Sequence, residues 1–448
     1  MRLAIALLLG ATGAAVAATQ PISDTDLWWH LATGRETLAH GFVRTDLFSW
    51  TVRGAPVSTD QWLGQVILYG AYALLDWWGI ALLRIAAVAT LLALVVWNAS
   101  IPARHRPIVL LGAAFAAFIE SRVLWVDRPE LLGLVCFAAL LPLLRLGRAG
   151  NVRAFAGCIA LLVLWANVHG SFALGVVLTL LVCAEGAWRD VTHRRAYVVT
   201  ALGALVASVL TPAGLGTWTA PGFHLLTPPR DIQEWALLDP RSPLGIAYLI
   251  TLALSVIAIV RVRPDVRELV IVVPVALLSL TAVRQAPLLA IAAAPLFADI
   301  ADRIARTRPA GTTRRGTAGL SALAVVLAVL ALLVAPRQPD ESAYPVAVLN
   351  SLPNGDGMLA RYEWGGWLIW RARGTPVFVD GRLTPYLGGV VEDYQRVIAA
   401  APGFQETLAR RNVRALLVTP TDPVALRAEQ LGWRVMSRSP QFVLIAVP

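Results

Sequence analysis

Residues 317–335 read Thr-Ala-Gly-Leu-Ser-Ala-Leu-Ala-Val-Val-Leu-Ala-Val-Leu-Ala-Leu-Leu-Val-Ala, nineteen positions without one ionisable side chain. A helix of that length rises roughly 30 Å, the thickness of the hydrocarbon core of a bilayer. Ten comparable runs lie upstream, at 3–18, 80–98, 107–121, 129–146, 154–168, 170–187, 197–211, 243–261, 268–283 and 286–301. The shorter ones fit a membrane only when packed inside a bundle. The composition agrees, because 57% hydrophobic residues, 15% charged residues and a mean hydropathy of +0.65 exceed what one water-soluble core can hide. The sequence therefore predicts an all-α polytopic membrane bundle of about eleven transmembrane helices.

The net charge of +10 would suggest nucleic acid in a soluble protein. Here the arginines sit in short loops between apolar runs, where they set topology, so no nucleic-acid partner is expected. Alternate loops carry Arg104 and Arg106; Arg145, Arg148 and Arg153; Arg189, Arg194 and Arg195; Arg261, Arg263 and Arg267; and the stretch from Arg303 to Arg315. By the positive-inside rule those loops and the N-terminus are cytoplasmic. The run behind Met1 and Arg2 also fits a cleaved signal peptide, but a retained first span is preferred because many spans follow. Segments 20–79, 122–128 and 212–242, the turn near Arg284 and the tail then lie outside.

Within the first outer loop, 24–40 and 60–78 read as juxtamembrane helices with tryptophans suited to the headgroup layer. The tail loses the lipid signature. Strands are predicted at Val377–Asp380, Ala415–Thr419, Trp433–Met436 and Phe442–Val447, and helices at 388–400, 404–411 and 423–431. The expected domains are a transmembrane region, 1–335, which includes the loop 20–79, and a small extracytoplasmic α/β domain, 336–448. Cys136, Cys158 and Cys183 lie singly in apolar runs without metal-type spacing.

The densest chemical signal is Ser23-Asp24-Thr25-Asp26-Leu27-Trp28-Trp29-His30, just beyond the first run. Two carboxylates one residue apart, with His30 four beyond Asp26, can converge at a helix start to deprotonate a hydroxyl or hold a divalent cation. The same spacing also makes an ordinary N-terminal cap. Asp60, Arg122, Arg128, His169, Arg230, Glu234 and Arg284 fall on the same expected face. Arginine's planar fork matches phosphate oxygens, although Arg122 could equally pair with Glu120 or Asp127. In the tail, Tyr362-Glu363-Trp364-Gly365-Gly366-Trp367 and Val379-Asp380-Gly381-Arg382 combine aromatic faces with charged groups of the kind that bind sugars.

The first-loop stretches Asp24 to Arg35, Arg44 to Thr51 and Asp60 to Gln65 resemble a group of bacterial polytopic proteins related to the GT-C glycosyltransferases, the polyprenyl-phosphate-sugar mannosyltransferase-like enzymes. Trp165 to Gly170, Arg284 to Pro287 and the two tail motifs share the likeness, which covers nearly the whole chain. Where relatives carry a His-Glu pair, this chain has Thr59-Asp60, which keeps a carboxylate and removes an imidazole.

The resemblance implies a GT-C-like fold in a bacterial cytoplasmic membrane. It also implies transfer of a sugar from a polyprenyl-phosphate donor, held among membrane lipid, to a glycan, lipid or protein acceptor outside. Asp24 or Asp26 would be the catalytic base. His30, Asp60, Arg122, Arg128, His169, Arg230, Glu234 and Arg284 would bind substrate, and Asp24, Asp26 and His30 could hold a divalent metal. Two other classes fit the same charges, a flippase for a lipid-linked saccharide and a non-catalytic envelope scaffold. A flippase calls for ionisable groups near the midplane, where these runs read as nearly uncharged.

Overall fold

The structure, a computed structural model, describes residues 2–101, 107–226, 233–304, 314–353 and 355–448. In chain order they form α1 (Arg2–Ala18), α2 (Leu27–His40), α3 (Trp62–Ala99), α4 (Pro107–Ser121), α5 (Pro129–Arg148), α6 (Val152–Val168), α7 (Phe172–Arg189) and α8 (Arg194–Ala207). Next come α9 (Thr219–Leu226), α10 (Pro243–Val262), α11 (Val266–Ser279), α12 (Ala286–Ile304) and α13 (Arg314–Val334). The tail contains β1 (Met358–Ala360), α14 (Tyr362–Arg371), α15 (Val390–Ile398), α16 (Phe404–Arg410), β2 (Ala415–Val418), α17 (Pro423–Gln430), β3 (Val435–Arg438) and β4 (Val443–Ala446).

Every one of the eleven apolar runs is helical. Five of these helices, α3, α5, α7, α10 and the Gly316–Val334 part of α13, are long and apolar enough to cross a membrane by length and composition. The chain divides into two compact units, one of residues 1–20 and 75–337, the other of 21–74 and 338–448. The dividing point near residue 75 is a kink in α3, where Leu75 and Asp76 leave helical geometry and Asp76 takes φ 54°.

The first unit is a helical bundle built around α12. From Ala286 to Ala298 every α12 side chain is buried, and α12 packs against α4, α10 and α11. Six alanines between Ala286 and Ala298 let neighbouring backbones approach closely, as membrane helices do when no solvent drives them together. Pro295 has no N–H for the Ile291 carbonyl, and Asn98 Nδ2 donates to that oxygen at 3.3 Å instead. One residue on, the Ala292 carbonyl accepts from Arg145 at 3.2 Å, and Arg145 also donates to Asn98 Oδ1 at 2.5 Å and to Glu268. The far side of the bundle is the reverse. Only 11% of the α13 window is buried, and Leu323, Val326, Leu330 and Leu333 stand exposed, an apolar surface of the kind a membrane covers.

The helices are also less free of charge than their sequences suggest. Arg84 and Asp127 form a pair at 2.6 Å with both side chains 2% exposed. Arg145 pairs with Glu268 at 2.7 Å, and Arg148 with Glu185. Arg145 and Arg148, read from sequence as topology-setting loop residues, are thus consumed in buried pairs.

The second unit joins the loop 21–74 to the tail, whereas the sequence grouped that loop with the transmembrane region. Long-range backbone pairing accounts for the difference. Ile22 bridges Pro339, Ser49 bridges Val377, Trp50 N–H donates to the Val377 carbonyl at 3.1 Å, and Thr51 Oγ1 donates to the Phe378 carbonyl at 2.6 Å. The sheet order is β1-β2-β4-β3, with β1 parallel to β2 and the other two pairings antiparallel. Strands predicted at 415–419, 433–436 and 442–447 form in part or whole, and all three tail helices are present. Val377–Asp380 is not a strand of the sheet, because its neighbour is the Phe48–Thr51 segment and not another tail strand.

Candidate functional site

In the second unit, the acidic motif opens α2. Asp24 Oδ1 accepts the Asp26 N–H at 2.8 Å, a local turn that sets the entry of the helix. Asp26 occupies the N-cap position yet its side chain makes no capping hydrogen bond. Its carboxylate instead abuts Gly381, where a Cβ would strike Asp26 Oδ1. The Trp29 indole borders the same glycine, and its Nε1 is buried without a hydrogen-bond partner. A side chain on Gly366 would crowd the Thr25 carbonyl at 3.1 Å and Trp29 at 3.3 Å, so Gly366 lets α14 lie directly on the start of α2, while Gly365 makes room for the Val379 carbonyl and Asp380.

The loop that holds Gly381 in place is fixed by a buried charge network. Arg382 donates to Asp380 at 2.6 and 2.8 Å and pairs with Asp46 at 2.6 Å, and Tyr386 Oη donates to Asp380 at 2.5 Å. Burial and the charge of Asp380 hold the Tyr386 phenol well above its ordinary range, so it stays a donor. Asp46 in turn accepts from Ser49 N–H and Oγ at 2.9 and 2.6 Å. The Asp380 and Arg382 side chains, expected to touch sugar, are therefore spent inside the unit. The aromatic faces of the other tail motif are spent too. Trp364 is 4% and Trp367 0% exposed, and their indole nitrogens donate to the Ala343 carbonyl at 3.1 Å and Glu341 at 2.9 Å.

His30 and Asp60 turn away from the surface. His30 is 3% exposed with Nδ1 3.4 Å from Gln65 Nε2. Asp60 is 6% exposed and accepts from Ser58 Oγ at 2.5 Å. Burial holds its carboxyl above the ordinary range, partly offset by the Ser58 bond. Among the described residues no three His, Cys, Asp or Glu side chains converge as a metal site would require. The set Asp24, Asp26 and His30 does not fit a metal, since His30 points into the interior.

In the first unit, three of the expected binding residues meet. Arg128 donates to Glu234 at 2.8 Å, Arg284 pairs with Glu130 and lies 3.7 Å from the other Glu234 oxygen, and the Arg284 guanidinium stands 4.7 Å over the Trp235 ring. Two cations and two anions from three separate loops form this cluster, and the sequence had not singled out Glu130 as a partner. Arg122 is exposed and makes no ion pair among the described residues. Its suggested partners go elsewhere, Glu120 to Thr251 and Asp127 to Arg84. His169 lies in the turn between α6 and α7, beside Gly133 of α5, its Nδ1 accepting the Ser171 N–H at 3.2 Å, which leaves the proton of the neutral ring on Nε2. Arg230 lies outside the described residues.

No family model and no curated protein matches the sequence. Solved structures do. ArnT from Cupriavidus metallidurans, bound to undecaprenyl phosphate, aligns with a TM-score of 0.59 at 13% identity over 100% of this chain and 97% of its own; its apo form gives 0.58 at 14%. The oligosaccharyltransferase AglB from Archaeoglobus fulgidus, in complex with an inhibitory peptide and a dolichol-phosphate, aligns with a TM-score of 0.59 at 11% identity over 93% of this chain and 69% of its own. The chain therefore has the fold of these two structures, a helical bundle with a small sheet-containing unit.

Proposed function

We propose that the chain is a membrane glycosyltransferase that moves a sugar from a polyprenyl-phosphate donor to a hydroxyl acceptor at the outer face of the cytoplasmic membrane. The carrying observation is the full-length likeness to ArnT bound to undecaprenyl phosphate. The Asp26 carboxylate, at the start of α2 and against Gly381, supports a base in the first loop. In this reading all eleven apolar helices cross the bilayer and the tail is extracytoplasmic.

Asp26 takes the proton as the acceptor oxygen attacks the anomeric carbon. The new glycosidic C–O bond forms while the bond from that carbon to the phosphate oxygen breaks, and the polyprenyl phosphate leaves with the electron pair. Asp24 positions Asp26 through the backbone bond at 2.8 Å. Arg122, which is exposed, and Arg128 and Arg284, which can trade carboxylates for phosphate oxygens, stabilise the leaving charge. Arg230 is assigned to the same role on residue type alone.

Transfer of label from a radiolabelled polyprenyl-phosphate sugar, measured on correctly inserted protein, tests the assignment. Asp26→Asn should lower the rate by about two to four orders of magnitude, the usual worth of a general base. Asp24→Asn should lower it less. Gly381→Ala, which pushes on the Asp26 carboxylate, should reduce turnover with donor binding retained. Undiminished transfer by Asp26→Asn would end the claim for that residue, and donor bound without any transfer by the wild type would favour the flippase or the scaffold.

A further inference from the structure

One cluster plays no part in the proposed transfer. On the tail, Arg396 of α15 and Arg410 and Arg411 at the end of α16 converge on the buried Asp393, at 3.2, 2.6 and 2.7 Å. They line an open cavity of about 570 Å³ with Glu392 and the glycines Gly388 and Gly389. One buried carboxylate is balanced by one guanidinium, so three guanidiniums against Asp393 and Glu392 leave the cavity positive. Each arginine carries five N–H donors and gives one of them to Asp393, so most donors remain for a ligand.

The backbone adds to this field. Gly388 and Gly389 take φ 94° and 121°, a conformation reserved for glycine, and they deliver the chain into the N-terminus of α15. The first-turn amides there have no intrahelical acceptor and no side-chain cap, and the Arg411 Nη2 lies 3.7 Å from where a Gly389 Cβ would stand. Fork-shaped cations, uncapped amides and a concave surface at one point are what a tetrahedral oxyanion requires.

We infer that this cavity is a phosphate-binding site, a second anion site that uses none of the residues assigned to transfer. Its occupant is a phosphate group, carried either by a soluble phosphorylated compound or by a lipid headgroup.

The test is calorimetric titration of inorganic phosphate into the full-length protein in phosphatidylcholine nanodiscs at low ionic strength. The wild type should bind, and Arg410→Gln/Arg411→Gln should weaken binding by about ten-fold or more, with a thermal melt confirming the fold. Arg396→Gln alone, whose contact with Asp393 is the longest, serves if the double variant unfolds and should weaken binding by about three-fold or more. Asp393→Asn releases donors and should tighten phosphate binding, whereas arginines that merely neutralise Asp393 would bind no phosphate in either form. Phosphatidic acid added to the discs should lower the apparent affinity for phosphate if the natural occupant is a lipid headgroup, and leave it unchanged if the occupant is soluble. Absence of heat with the wild type, or wild-type affinity in the folded arginine variants, overturns the inference. Because the readout is binding and not transfer, its failure leaves the proposed activity untouched.

Discussion

Asp60 shows how one buried side chain carries a pH signature. Its carboxyl is enclosed and accepts one hydrogen bond from Ser58, and burial holds its pKa above the ordinary value of about 3.9. The folded chain therefore keeps a proton that the unfolded chain gives up. The associated stability is complete below the unfolded value and is lost as pH rises through the raised folded value. Asparagine resembles the protonated acid and does not titrate. Asp60→Asn should match the wild type near pH 4 and melt at a higher temperature at neutral pH, with the gap widening between, when unfolding is followed in detergent across that range. Parallel melting curves would show that folding does not raise the Asp60 pKa. The sequence made Asp24 and Asp26 legible because a turn and a helix start are local. It hid their surroundings, since Gly381, Arg382 and Asp46 come together only through contacts between the first loop and the tail. Reading Asp380, Arg382, Trp364 and Trp367 as sugar ligands failed for the same reason, because residue type says nothing about which partner, substrate or protein, a side chain meets.

At the scale of elements, helices that are apolar all round were readable as runs, and each became a helix. The kink within α3 was not readable as such, and neither was β1, three residues long, nor α14, whose glycines mimic a loop although they serve close packing, Gly366 against the start of α2 and Gly365 against Val379 and Asp380. Nor does composition distinguish a central helix from a peripheral one: α12 and α13 read alike, yet one is the hub and the other lies exposed. The repair of the Pro295 break by Asn98 makes that distinction testable. Asn98→Leu leaves the Ile291 carbonyl unmet inside the bundle and should cost about 1–3 kcal/mol. Leu330→Ala on the exposed side of α13 should change stability by less than about 0.5 kcal/mol. Adding Pro295→Ala to Asn98→Leu restores an intrahelical donor and should recover part of the loss, leaving what Arg145 forfeits at Asn98 Oδ1. Equal melting shifts for Asn98→Leu and Leu330→Ala would contradict the assignment of hub and rim.

For the whole molecule, the parity of the membrane crossings decides on which side the tail lies. An odd number of crossings puts the tail across the membrane from the N-terminus, and an even number returns it to the same side. Among the described residues five helices qualify as spans on their own length and apolarity, and the proposed eleven crossings require the other six apolar helices to be carried by their neighbours. Arg194 and Arg195 begin α8 after a short exposed turn, which the proposed topology, read from the positive-inside rule, puts in the cytoplasm. The three native cysteines are buried, so a cysteine-free background alters no exposed surface. In that background, cysteine placed at Thr192 should react with a membrane-impermeant maleimide only after the membrane is opened, and cysteine at Gln405, exposed on α16, should react in intact cells. Labelling of both positions only after the membrane is opened would make the number of crossings between them even. It would place the aspartates of the first loop, which fold with the tail in one compact unit, in the cytoplasm. A donor displayed on the outer leaflet could then not be their substrate.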